Sequence, residues 1–155
     1  MLDWLQMRGR RPAKALPALD LAIEPDFVNG SFVFPNPWLR AIGRRPGDGV
    51  KVCSLTFGIS PLNDRIYVDG VEVEEARRRM GYGSALLLAV ARANAVDGSP
   101  LPITALCELW ASNDFWTALR ASKVPGLTVT RDLRPAEMDA ETARWRTATR
   151  LSASQ

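Results

Sequence analysis

The sequence predicts one domain of mixed α/β (α+β) class, a single sheet with helices packed against it. Three observations carry that expectation. Strand-like and helix-like stretches follow one another in the order strands, helix, strand, helix, strand, helix, which is the pattern of helices packed on one sheet. A length of 155 residues suits one domain with a core of its own. An apolar fraction of 46% with 24% charged residues is that of an ordinary globular protein.

Taken in order, residues 1–22 contain Pro12 and Pro17 and read as an N-terminal arm, with the folded domain running over 23–155. "DFVNGSFVF" places Asn29-Gly30, a tight-turn pair, between β-type residues. "PWLRAIG" predicts a short helix over 37–42, opened by Pro37 and closed by Gly43. "VKVCSLTFGIS" alternates and is rich in β-branched residues, so it predicts a strand ended by Ser60-Pro61. "DRIYVDGVEVEEA" predicts a second strand in which Asp69-Gly70 is either a hairpin turn or a glycine kink; one long kinked strand is preferred. From Ser84 to Val96 apolar residues occur almost all round, the mark of a helix buried against a sheet. "PITALCELWA" predicts a central strand, "SNDFWTALRASK" an amphipathic helix capped by Ser112, and "LTVTRDL" a further strand. The tail predicts a helix over 135–151, with proline and acids first and arginines last, as its dipole favours.

Several function classes drop out. The chain has no histidine and its two cysteines, Cys53 and Cys107, lack metal-type spacing, so no metal site is expected and both are read as reduced core thiols. The longest purely apolar run, 85–91, is too short to span a bilayer, and the opening lacks the apolar block of a signal peptide; a cytoplasmic protein without membrane contact is expected. Net charge is only +3, but arginines bunch at 8–11, 40–45, 77–79 and 144–150. Such clusters suit phosphate-bearing partners, with solvated surface as the plain alternative.

The most informative stretch is "ARRRMGYGSALLLAV", residues 76–90. A strand ending in "VEVEE", a short loop and then a helix aim several backbone N–H groups and a helix N-terminus at one spot, which favours anions. Gly81 and Gly83 carry no side chain to keep a phosphate from the backbone, Arg78 and Arg79 add charge, and Ser84 offers a cap and a hydroxyl. The plain alternative is a tight turn that holds nothing. A nucleotide P-loop is a poor match, because no Gly-Lys-Ser/Thr follows.

"VEVEEARRRMGYGSALL" closely resembles the signature of the Gcn5-related N-acetyltransferases, through Val73 on the strand and then Arg78, Gly81 and Gly83. "CELWASN" resembles that family's second element through Glu108 and Asn113, and the two together span roughly 66–127. The resemblance implies a central mixed, mostly antiparallel sheet with a splayed strand pair and helices on both faces. It implies acetyl-CoA as the acyl donor, its diphosphate held at Arg78, Arg79, Met80, Gly81, Tyr82, Gly83 and Ser84. Its pantetheine arm would lie along the strand edge at Val71 and Val73, beside Asn113, with Phe115 and Trp116 near the cofactor or under the helix. The partner would be a primary amine on a small molecule or a protein.

Acyl transfer needs that amine neutral when it attacks, so a carboxylate or a water chain must take its proton. Glu108 holds the position where related acetyltransferases of ribosomal-protein N-termini carry a glutamate, and Asp69 and Tyr67, two apart on one strand, are the second choice. Where many relatives place a tyrosine to protonate the leaving thiolate, this chain has Arg120. A helix at the end of the chain departs from the family pattern and is read as a homodimer contact or a lid. Two other readings stay open: an acyl-CoA binder without catalysis, and an arginine-rich nucleic-acid-binding module.

Overall fold

The computed structural model describes residues 15–26, 38–106, 111–133 and 135–153, without the side chains of 111–113, 135, 149 and 151–153. Among these residues five strands form one mixed sheet in the order β1-β2-β3-β4-β5: β1 (Asp20–Pro25), β2 (Leu39–Arg44), β3 (Lys51–Ile59), β4 (Ile66–Val73) and β5 (Ile103–Ala105). The first four pair antiparallel as a meander and β5 joins β4 in parallel. That last step needs a crossover. It is made by α1 (Tyr82–Ala93), reached from β4 through a 3-10 turn at Glu75–Arg77. Helices α2 (Ala111–Ser122) and α3 (Pro135–Ala153) complete the chain.

The main core lies between α1 and one face of the sheet. Leu86, Leu87, Val90 and Ala91 meet Leu55, Phe57, Ile66 and Val68 there, all buried. The other side of α1 is covered by Trp116 and Leu119 of α2 and by Val124 and Leu127 beyond it. A helix covered on two sides must be apolar nearly all round, which is the pattern its sequence shows. Side chains alternate between the faces of a strand, so Tyr67 leaves this core and points to the other face. There its hydroxyl meets the Glu141 carboxylate of α3 and its ring packs edge-on against Trp145, with centroids 5.4 Å apart. Helices therefore cover both faces. The inward side of α3 is Glu141 and Trp145, four apart, so the helix read as a dimer contact or a lid is seated on its own sheet.

Four expectations are corrected. The stretch read as a helix over 37–42 is strand β2, from Leu39 to Arg44. Gly43, read as a helix stop, lies inside it because a Cβ there would stand 2.6 Å from Cys53 Sγ; strand pairing overrides local preference. β1 begins at Asp20, inside the stretch read as an arm, and Leu19 packs against the core. α2 begins at Ala111, so Ser112 lies in its first turn and not at its cap. The strand expected at 127–133 is reduced to one bridge between Ile103 and Val129. The carbonyl of Thr130 is taken instead by Arg120, whose Nε and Nη2 donate to it at 3.0 and 2.7 Å. By contrast, Asp69-Gly70 is a kink within one strand, as preferred.

Beneath α3 the Glu141 carboxylate also accepts from Arg144, which donates to Asp64 at 2.6 Å. Burial pushes the Glu141 carboxyl up, but hydrogen bonds from Arg144 and Tyr67 outweigh it and hold the group below its usual range. A carboxylate with a depressed folded pKa contributes stability above its unfolded pKa, roughly 4.3, and loses it as pH falls through the folded value. Glu141→Gln is therefore expected to cost on the order of 2 kcal/mol at pH 7, by breaking a buried charged hydrogen bond. The gap to the parent should narrow below about pH 4. Denaturant melts of both proteins from pH 3 to pH 7 measure this; a gap independent of pH would show that the charge of Glu141 contributes nothing.

Candidate functional site

The pairing of β4 decides where a ligand could sit. Ile66, Tyr67 and Val68 pair with Ile103, Thr104 and Ala105 of β5, and Leu106 N donates to Val68 O at 3.0 Å. Opposite, Thr56 faces Gly70 and Phe57 faces Val68, so Asp69 is the extra residue of a β-bulge. Beyond the bulge β4 continues on β3 alone, and no described residue forms a strand on its outer side. Val73 O points outward, since it accepts from Arg78 Nε at 3.2 Å. By the two-residue repeat of a strand, Val71 presents its peptide groups to the same edge.

A cleft of about 1160 Å³ opens along this edge. Its walls are Asp69, Val71 and Val73 of β4, the loop from Arg77 to Ser84, and Asp114, Phe115 and Trp116 of α2. The loop leaves main-chain amides without acceptors among the described residues. Arg79 and Gly81 both have positive φ, 65° and 87°, and Gly81 forms the N-cap of α1 without a side-chain cap. The helix ladder starts with Ala85 N donating to Gly81 O at 2.9 Å. Among the described residues no acceptor meets the amides of residues 79–84. Amides left without an acceptor in this way at a helix N-terminus favour an anion.

The three loop arginines have three separate tasks. Arg77 Nε donates to Glu74 at 3.1 Å, and Arg78 ties the loop to the end of β4 through the Val73 carbonyl. Arg79 is exposed and meets no partner among the described residues. Its left-handed backbone costs on the order of 1 kcal/mol in a residue other than glycine.

The glycines are explained differently from the expectation. A Cβ on Gly81 would stand 3.2 Å from Pro17 Cδ and 3.4 Å from Leu16 Cδ2. A Cβ on Gly83 would stand 3.0 and 3.2 Å from the Phe115 ring. The space that the missing side chains leave is thus filled by the protein itself.

Of the residues singled out in the sequence, Asp69, Val71, Val73, Arg78, Arg79, Gly81, Tyr82, Gly83, Ser84 and Trp116 line this one cleft. Ser84 lies in the first turn of α1 and does not cap it. Met80 is 52% exposed and outside the lining. Tyr67 is corrected: the bulge breaks the alternation between it and Asp69, and Tyr67 is fully buried under α3. Burial, then its bond to Glu141, pushes its hydroxyl well above the usual tyrosine range, and Tyr67 is not among the residues that line the cleft. Glu108 and Cys107 lie outside the described residues, and so does the side chain of Asn113, in the first turn of α2. Sequence reasoning missed Lys51 and Cys53, which strand register brings to the lining. Burial pushes the Cys53 thiol up to about 11, so it is protonated at neutral pH. Among the described residues no group of His, Cys, Asp or Glu could hold a metal ion, and no helix is long and apolar enough to cross a membrane.

Gly83 sits in the first turn of α1, where alanine is preferred over glycine by about 1 kcal/mol. The Phe115 contact opposes that gain. In a double-mutant cycle, Gly83→Ala should stabilise the Phe115→Ala protein by about 1 kcal/mol and the parent by clearly less. Urea melts of the four proteins read the coupling, and additive effects would mean that the ring yields without cost.

Compared with protein-family models, curated proteins and solved structures, the chain matches none.

Proposed function

We propose that the protein is an acetyl-CoA-dependent N-acetyltransferase of the Gcn5-related kind, acting on a primary amine in the cytoplasm. The observation that carries this reading is the arrangement of one cleft: amides without an acceptor and Arg79 at one end, the outer main-chain edge of β4 at the other. A coenzyme A thioester has the matching order, diphosphate first and then an arm bearing two amides. The residues that would hold it are Arg79 and the amides of 79–84 for the phosphates, and Val71 and Val73 for the arm, as an added strand is held. The resemblance of residues 66–127 to the family signature supports the same assignment, as do the parallel addition of β5 and the loss of its pairing at the bulge.

The chemistry asks for a group to take the proton of the attacking amine. Asp69 stands on the bulged turn of β4, in the cleft wall at the point where the thioester end of an arm lying along Val73 and Val71 would arrive. The thioester supplies the activated acyl group; the chain supplies alignment, exclusion of water and the carboxylate. Arg120 is committed to the Thr130 carbonyl, so departure of the thiolate relies on water or on the amine's own proton. The nucleic-acid reading loses ground because several clustered arginines are spent within the chain: Arg40 faces Asp26 at 3.8 Å, Arg45 pairs with Asp48, and Arg144 with Glu141 and Asp64.

Two experiments test the proposal. Acetyl-CoA at a hundred times its dissociation constant should add about 2.7 kcal/mol of stability in a thermal-shift assay. Gly81→Val is a poor control, since the side chain would strike Leu16 and Pro17. Arg79→Gly is better: relief of the left-handed backbone should leave the free protein at least as stable, while loss of the phosphate contact weakens acetyl-CoA about tenfold. No shift with the parent protein would overturn the proposal. In a thiol-release assay with an active amine, Asp69→Asn should slow turnover by roughly 100-fold or more. If Glu108→Gln does so and Asp69→Asn does not, the base is Glu108.

A further inference from the structure

Between the two polar stations of the cleft lies an apolar one. Phe115 of α2 reaches across to the first turn of α1, where its ring edge comes within 3.0 Å of the place a Gly83 Cβ would take. Val73 Cγ2 stands 3.6 Å from that same place, so the ring, Gly83 and the end of β4 meet at one point. Trp116, which also lines the cleft, supports the ring from behind. It is only 3% exposed, belongs to the main core, and packs edge-on against Phe115 with centroids 5.2 Å apart. Phe115 itself is half-buried and lines the cleft, which continues past it from the loop amides to Asp69.

A ligand that fills this cleft must present three chemistries in order: an anion at residues 79–84, an apolar body at Phe115, and hydrogen-bonding groups along Val73 and Val71. We infer that the Phe115 ring, braced by Trp116 and given its place by the absent side chain of Gly83, is the wall that recognises the branched apolar segment between diphosphate and first amide of the acyl donor's arm. The inference rests on the proposed function and extends it, because it makes Phe115 a determinant of affinity for the arm and not for the phosphate head. The gem-dimethyl carbon of a pantoyl unit is a branched apolar group at that point of the chain. A flat ring braced from behind offers it a surface that needs no rearrangement.

The test separates head from arm. Titration calorimetry on the full chain uses acetyl-CoA, which has both, and adenosine 3′,5′-bisphosphate, which has a phosphate head and no arm. For Phe115→Ala the acetyl-CoA dissociation constant should rise about tenfold, as expected when about 55 Å² of apolar contact is lost at about 25 cal/mol per Å². The constant for the bisphosphate should stay within about twofold. Phe115→Leu keeps an apolar body and should retain most of the acetyl-CoA affinity, which also guards against a folding defect in the alanine variant. An equal loss for both ligands would assign the ring to holding the loop, and no loss for either would remove it from the site; each overturns the inference. Binding of the bisphosphate but not of acetyl-CoA by the parent protein would overturn the arm assignment while leaving the phosphate site in place. Binding of neither would overturn the donor reading itself.

Discussion

Everything about this cleft depends on a change of partners along β4. Up to Val68 the strand is paired on both sides, and beyond the bulge at Asp69 it is paired on β3 alone. A strand within a sheet has no main-chain groups to offer, whereas an edge has a row of them. The bulge supplies such an edge in the middle of a sheet, sheltered between β4, α1 and α2. It also turns out the one residue, Asp69, that ladder pairing leaves over. Had the β4–β5 ladder run its full length, the loop at residues 79–84 would still leave its amides without acceptors, but no slot would lead away from it.

The loop shows how a local departure from low energy is held in place. Arg79 sits in a backbone region that disfavours side chains, and Gly81 two residues later needs the same hand of φ. Such strain persists only where surroundings over-determine it. Here the ties are Arg78 to the Val73 carbonyl, Arg77 to Glu74, Leu16 and Pro17 against Gly81, and Phe115 against Gly83. Contacts from three directions fix the backbone of a loop whose residues line the cleft.

What could be read from the sequence was what local chemistry decides. The burial of α1, its start at the glycine pair, the C-terminal helix and the kink at Asp69-Gly70 all follow from residue type and spacing over a few turns. What could not be read was set by partners far away in the chain. "LRAIGR" forms a strand because β1 and β3 flank it and Cys53 fills the space beside Gly43. Tyr67 and Asp69 look like same-face neighbours until the bulge is known. Phe115 and Trp116 are adjacent aromatics whose roles, wall and brace, depend on which of them faces Gly83. Lys51 and Cys53 carry no motif at all; only the register of β3 against β4 brings them to the cleft.

The far face of the sheet bears on the near one. Tyr67 and Asp69 are two residues apart on β4, and Tyr67 is clamped from behind by Glu141 and Trp145 of α3. Thr104, the β5 partner of Tyr67, is held in turn by a 2.8 Å hydroxyl contact to Thr130, whose carbonyl Arg120 grips. The last paired residues before the bulge are thus anchored by buried polar bonds, and a bulge that follows a rigid strand cannot migrate along it without breaking them. A bulge one residue out of place would hide Asp69 and expose a hydrophobic side chain in its stead. Arg120 and the inward face of α3 therefore have a common physical task. They fix the register from which the cleft's geometry follows.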